Sequence, residues 1–162
     1  MDYVIEKALF SHLDRICELY AGARAFMARN GNPTQWGDSY PERSMLEADI
    51  AQGCLYVMRQ DGQIRGVFYL NRCEDPTYAV IHEGNWHSQE SYAVIHRICG
   101  DGSGGTVKRA VDFALARSSY LRIDTHADNL PMQRVLEKLG FSYCGIIYVE
   151  DGTPRLAYDK HL

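Results

Sequence analysis

Four of the six residues from Gly100 to Gly105 are glycine, in the run "CGDGSGGT", between an apolar strand-like segment and an amphipathic helix-like one. Such a loop suits an anion. Its N–H groups carry no obstructing side chains, and the helix N-terminus behind it adds partial positive charge. The triphosphate version of the loop ends in Gly-Lys-Ser/Thr, whereas this one reads Gly104-Gly105-Thr106-Val107. The dinucleotide pattern G-x-G-x-x-G fits only with its last glycine one place out, and no full βαβ half precedes it. Taken alone, the run is equally well a flexible turn. Cys99 beside it could serve as a nucleophile, but a strand-end cysteine is more often a small buried residue. A second stretch, "HEGNWH" (82–87), has one residue more than the zinc motif H-E-x-x-H. Its two imidazoles would not share a helical face, and Gly84 and Asn85 disfavour a helix there. The sequence thus calls for no metal.

The elements that must position the loop follow from periodicity. "YVIEKA" reads as a first strand. From Ser11, a plausible N-cap, Leu13, Ile16, Leu19, Tyr20, Ala23 and Phe26 form a helical stripe that "NGNPTQWG" ends. Pro41 to Ala51 is a second, shorter helix. Two β-rich runs flank Asp61-Gly62 as a hairpin, because Asp-Gly accepts positive φ in a tight turn. "TYAVI" (77–81) and "SYAVIHRI" (91–98) read as strands, the latter leading into the glycine loop. Val107, Ala110, Val111, Ala114 and Leu115 then mark a helix. "YLRIDT" is a strand. "NLPMQRVLEKLG" is a helix with Asn129 as cap, Pro131 in its first turn and Gly140 after its end. "FSYCGIIYV", Asp151-Gly152 and "RLAYDKHL" make a closing hairpin. The order predicts an α/β (α+β) fold: one mixed, mostly antiparallel sheet of six to seven strands flanked by about four helices, with residues 1–162 as a single domain.

Composition narrows the function. Of the 162 residues, 46% are hydrophobic and 23% charged, enough for a real core without a disordered tract. The net charge is -4 with Lys and Arg scattered, which argues against a nucleic-acid binder that must neutralise phosphates with a clustered basic face. Asp2 and Glu6 stand where a signal peptide would be basic, and no apolar run reaches membrane-spanning length. Five widely spaced cysteines without a C-x-x-C pair point away from a disulfide framework. The expectation is a cytoplasmic protein without membrane or nucleic-acid partners.

Together, "YAVIHRI", the glycine loop, "AVDFALA", "LRIDTHADN" and "VLEKLGF" resemble the GNAT superfamily of acetyl-CoA-dependent N-acetyltransferases, closely over residues 92–149 and more loosely over 1–70. The resemblance implies acetyl-CoA as cosubstrate. The CoA pyrophosphate would rest on the loop at Gly100, Gly102, Gly104, Gly105 and Thr106. The pantetheine arm would touch Asn129, and the backbone at Ile98 and Cys99 would lie at the thioester. A homodimer is compatible with it. Two positions depart from the family pattern. Val107 falls where Gly or Ala is usual and would crowd a phosphate, and Leu136 falls where many members carry a proton-donating Tyr.

Acetyl transfer needs an amine free of its proton, a donor for the tetrahedral oxyanion, and a thiolate that leaves unaided because its pKa is only about 8.5. Three residues are candidates to take or give the proton: His96 near its strand end, His126 after "RIDT", and Tyr148 on the strand facing the last hairpin. Each has a purely structural alternative as a sheet, turn or core residue. Loop aromatics Trp36, Tyr40 and Trp86 could shape the pocket for a small-molecule or peptide amine, or pin their loops to the core. Two rivals remain: a CoA-binding module without catalysis, and a nucleotide-binding α/β protein.

Overall fold

A computed structural model describes residues 2–162. Seven strands form one sheet: β1 (Val4–Lys7), β2 (Leu55–Gln60), β3 (Gln63–Arg72), β4 (Ala93–Gly100), β5 (Tyr120–Thr125), β6 (Ser142–Tyr148) and β7 (Pro154–His161). Their order across the sheet is β1-β2-β3-β4-β5-β7-β6. Every pairing is antiparallel except that of β4 with β5. The helices are α1 (Leu13–Arg29), α2 (Arg43–Ala51), α3 (Thr106–Leu115) and α4 (Leu130–Lys138).

Strand alternation divides the core between the two faces. Val57 and Val67 pack with Leu13, Ile16, Leu19 and Tyr20 of α1 and Leu46 and Ile50 of α2. Their neighbours Met58 and Phe68 pack with Ala110, Val111 and Ala114 of α3 and Leu136 of α4 on the other side. A third cluster, with Tyr78, Trp86, Tyr92 and Tyr120, seats the long segment between β3 and β4. Both Asp-Gly hairpins form, with Asp61 at φ 55° and Gly62 at φ 75°.

Two local expectations are corrected. "TYAVI" is not a strand: Pro76–Tyr78 is a 3-10 turn started by the Asp75 side chain, which accepts the Thr77 N–H, and pairing there is limited to one bridge, His82 with Ile146. Ser11 does not cap α1. It lies inside a 3-10 turn, Phe10–His12, that leads into that helix. Asn129 does cap α4, its side chain accepting the Met132 N–H. Among the described residues no helix is long and apolar enough to cross a membrane.

Candidate active site

β4 and β5 pair only at Ala93 with Leu121 and Val94 with Arg122. Beyond these residues the two strands, parallel and both continuing, separate. A cavity of about 650 Å³ opens at the split, lined by Val94 to Ile98 of β4, Ile123 and Asp124 of β5, and Asn129 and Met132 at the start of α4. The same cavity meets Trp36, Tyr40 and residues 73–77.

A bulge re-aims β4 there. Tyr69 pairs with His96 and Val67 with Cys99, so Phe68 faces both Arg97 and Ile98. Arg97 sits at φ 50°, a left-handed conformation that ordinary residues rarely adopt. Its surroundings hold it. The buried Tyr20 hydroxyl donates to its carbonyl at 2.5 Å. Its guanidinium meets Asp49 Oδ2 at 2.9 and 3.0 Å, reaches the Tyr40 hydroxyl at 3.2 Å, and lies over the Tyr69 ring. Burial pushes the Asp49 carboxyl up, and the adjacent Arg97 charge only partly offsets it. The bulged residues His96, Arg97 and Ile98 thus join Val94 and Ile95 along the wall of the cavity.

His96 stands between two carboxylates. Its Nε2 is 2.7 Å from Asp75 Oδ2 and its Nδ1 is 3.9 Å from Asp124 Oδ2. Asp124 is fixed in turn by the Tyr78 hydroxyl at 2.6 Å. Asp75 accepts from the Thr77 N–H and hydroxyl, and its own N–H donates to the Tyr92 hydroxyl. Burial alone would raise the Asp75 carboxyl, but the hydrogen bonds from His96 and Thr77 win and hold it at about 2. The imidazole is thereby oriented, with its second nitrogen toward the cavity-lining Asp124.

The other proton-transfer candidates do not line the cavity themselves. His126 accepts the Asp128 N–H at Nδ1 and, with Nε2, meets at 3.3 Å the Oγ1 of Thr34, a residue of the cavity wall. Burial and the Arg155 charge lower its pKa. Tyr148 is half exposed, its ring edge-on to His82, and is likewise not part of the lining. Leu136 is fully buried in the core beside α3.

The glycine loop caps α3. Gly102, Gly104 and Gly105 all have φ between 78° and 90°, and a Cβ at Gly102 or Gly104 would meet only open space. Gly100 is tight: its Cβ would lie 2.2 Å from Thr106 Oγ1. Two cations flank the loop. Arg109 donates to the Gly104 carbonyl at 2.8 Å and lies over the Tyr3 ring, while Arg65 pairs with Asp101 at 3.1 Å. Asp101 also accepts the Ser103 N–H, so the loop neutralises one of its own amides. Val107, expected to crowd a phosphate, packs against the core cluster under α3. Cys99 is buried, and burial pushes its thiol far above the ordinary range, which disfavours a nucleophilic thiolate.

Of the aromatic candidates, Trp36 and Tyr40 line the cavity, with Trp36 against Tyr20 and Tyr40 at centroid distances of 5.6 and 6.2 Å. Trp86 is buried, donates to the Tyr78 carbonyl at 3.0 Å, and borders a separate cavity of about 480 Å³. Asn129 joins its cap to the site, donating to Gln35 Oε1 at 3.0 Å. Sequence reasoning missed Asp75, Asp124, Asp49 and Tyr20. Asp75, Asp49 and Tyr20 fall in no motif and reach the site through long-range contacts, while Asp124 lies within "LRIDTHADN" but gains its place beside His96 only through the tertiary fold.

No family model matches the chain, and no curated protein does. Among solved structures, a GNAT-family acetyltransferase of Streptococcus agalactiae is 32% identical with a TM-score of 0.88, over 99% of this chain and 95% of that one. A ribosomal-protein-alanine N-acetyltransferase of Brucella melitensis is 16% identical with a TM-score of 0.64, over 98% of this chain and 99% of that one. The yncA protein of Salmonella typhimurium, solved with its cofactor acetyl-CoA, is 14% identical with a TM-score of 0.61, over 99% and 94%. The last two likenesses speak for the fold.

Proposed function

The chain belongs to the GNAT family of acetyltransferases and is an acyltransferase, and on that premise we propose that it moves an acetyl group from acetyl-CoA to a primary amine by direct attack in a ternary complex. The observation that carries this reading is the split between β4 and β5, which opens onto an oriented His96 beside a strained bulge.

The residues present suit the cosubstrate. The glycine loop has open space beside Gly102 and Gly104 at the N-terminus of α3, between Arg65 and Arg109, which supports it as a setting for a pyrophosphate. The cavity at the split runs along β4 as far as Ile98 and reaches Asn129. In the reaction proposed, the backbone N–H groups at Ile98 and Cys99 donate to the oxyanion as the thioester carbonyl becomes tetrahedral. His96 takes the proton from the attacking amine, directly or through one water, while Asp75 steadies the resulting imidazolium. The departing thiolate is stable enough to leave without a donor, so the apolar Leu136 is no obstacle.

Trp36 and Tyr40 form the acceptor wall, and Glu74 and Asp124 on the same cavity suit an amine that arrives as a cation. The acceptor is a small-molecule or peptide amine. Calorimetric titration with acetyl-CoA, followed by free-thiol release across a panel of amines, tests the reading. Binding with turnover supports it, binding without turnover leaves a CoA-binding module, and absence of binding overturns it.

A further inference from the structure

The segment that failed as a zinc motif by its spacing contributes to a different constellation. His87 Nδ1 lies 2.7 Å from Asp159 Oδ1 and 3.3 Å from Cys144 Sγ. The three donor atoms are within 4.8 Å of one another, the one such group of His, Cys and acidic residues among the described residues. From these contacts we infer that His87, Cys144 and Asp159 form a binding site for a borderline-soft divalent cation of the Zn²⁺ class, away from the acetyl-transfer cavity.

Three features of the fold bring the donors together. On β6, Tyr143 pairs with Tyr158 and Gly145 with Ala157, so Cys144 is the extra residue of a bulge. A bulge turns a side chain away from its regular direction, and here the thiol points to Asp159 on the neighbouring β7. Next, the segment bearing His87 lies directly on the Cys144 backbone. A Cβ on Gly84 would fall 1.8 Å from the Cys144 carbonyl oxygen, and one on Gly145 would fall 2.6 Å from the His82 oxygen. Only glycines at both positions let the two segments approach this closely. Finally, the carboxylate is oriented from behind. Asp159 Oδ2 accepts the Tyr120 hydroxyl at 2.7 Å and the His87 N–H at 2.8 Å, leaving Oδ1 to face the imidazole and thiol. Supporting hydrogen bonds of this kind fix metal ligands in place.

The geometry separates a metal site from a relay triad. In a relay, the imidazole would use one nitrogen for the carboxylate and the other for the thiol. Here the same Nδ1 faces both, so N, O and S converge on a common point. Tetrahedral zinc, with bonds of about 2.0–2.1 Å to N and O and about 2.3 Å to S, places N and O about 3.3 Å apart and N and S about 3.5 Å apart. The cluster must therefore open by about 0.6 Å on one side and about 0.2 Å on the other. His87 can provide this, since its side chain is 55% exposed while that of Asp159 is 4% exposed. That exposed side also offers a fourth position to water. On binding, the Cys144 S–H proton leaves to solvent and the imidazole proton moves to Nε2, so the thiolate, the neutral imidazole and the carboxylate become the ligands.

The test uses the full chain, freed of metal by a chelator, and Zn²⁺ alone in competition with a chromophoric chelator. One ion bound per chain is expected, weakened at least about tenfold by His87→Ala and by Cys144→Ala. Co²⁺ in place of Zn²⁺ is expected to give a thiolate charge-transfer band in the near ultraviolet that Cys144→Ala abolishes. Circular dichroism confirms that the variants fold, and His87→Ala removes a half-exposed ring whose loss the core tolerates. Failure of the wild type to bind Zn²⁺ saturably, a Co²⁺ spectrum without the thiolate band, or undiminished binding by His87→Ala would each overturn the site.

Discussion

Asp75 grips His96 across 21 residues of chain, Oδ2 to Nε2 at 2.7 Å, from the N-cap of the 3-10 turn Pro76–Tyr78, just before the stretch 77–81 that reads in sequence as a strand. The pair joins the least regular segment of the chain to the bulged strand at the split. In the proposed reaction the carboxylate is the positioning group and the imidazole is the base.

Replacing His96 with Ala is expected to lower kcat by about 10²–10⁴, the usual worth of a general base, with acetyl-CoA affinity unchanged. The acid limb of the pH–rate profile should disappear with it. Asp75→Asn should retain part of kcat but alter that limb. Steady-state kinetics across pH, with calorimetry for acetyl-CoA, checks both variants; an unchanged profile in His96→Ala assigns the proton to another group.

Asp75 also makes stability depend on acid. Its carboxyl titrates at about 2 in the fold, below its ordinary value of 3.8. The carboxylate form is therefore favoured by folding. The contribution, ~2 kcal/mol, is complete above about pH 5 and disappears as pH falls toward 2. Urea unfolding of wild type and Asp75→Asn at pH 7 and pH 3 should show the gap between them narrowing in acid.

Asp49→Ala would leave the Arg97 guanidinium, 11% exposed, without its carboxylate. Breaking a buried pair from one side costs about 3–5 kcal/mol. Thermal and denaturant unfolding measure the loss. The bulge that this pair anchors should loosen too, so kcat is expected to fall even in conditions where the variant stays folded.

Trp36→Ala removes one wall of the acceptor cavity without touching the glycine loop. The expected result is a rise of about tenfold in KM for the amine, equivalent to ~1.4 kcal/mol, with the Kd for acetyl-CoA unchanged. Parallel amine kinetics and acetyl-CoA calorimetry separate the two effects.

Gly100→Ala forces a methyl against Thr106 Oγ1, where β4 meets the first turn of α3. Overpacking of this kind costs about 1–3 kcal/mol, seen as a lower Tm. Adding Thr106→Ala removes the nearest atom and should recover part of the loss, which would identify the clash as the cause.

The sequence carried the glycine loop, the Asn129 cap and both Asp-Gly hairpins because each depends on residues adjacent in the chain. It also carried the sheet flanked by helices, but the division of the core, with Val57 and Val67 facing α1 and α2 and Met58 and Phe68 facing α3, appears only in the fold, because uniformly apolar strands do not say which helix covers which face. The carboxylates around His96 were silent for the opposite reason. Asp75 belongs to a loop with no period, and an isolated aspartate reads as a solvated charge until folding places it beside a partner. Arg97 with Asp49, 48 residues apart, was hidden in the same way. Trp36, Tyr40 and Trp86 looked alike as loop aromatics; only tertiary packing assigns the first two to the cavity and the third to another cluster.

Past Val94 and Arg122, the facing sides of β4 and β5 find no ladder partner in each other. A sheet edge ordinarily lies at the rim, where it invites strands from other molecules and must be blunted. Here two edges are enclosed within the domain and face one another. Their amides should exchange with deuterium faster than those of β3 or β7, which are paired on both sides, and should slow when an extended molecule with amides of its own lies between them. The split is thus an unfinished stretch of sheet whose unpaired edges face the cavity.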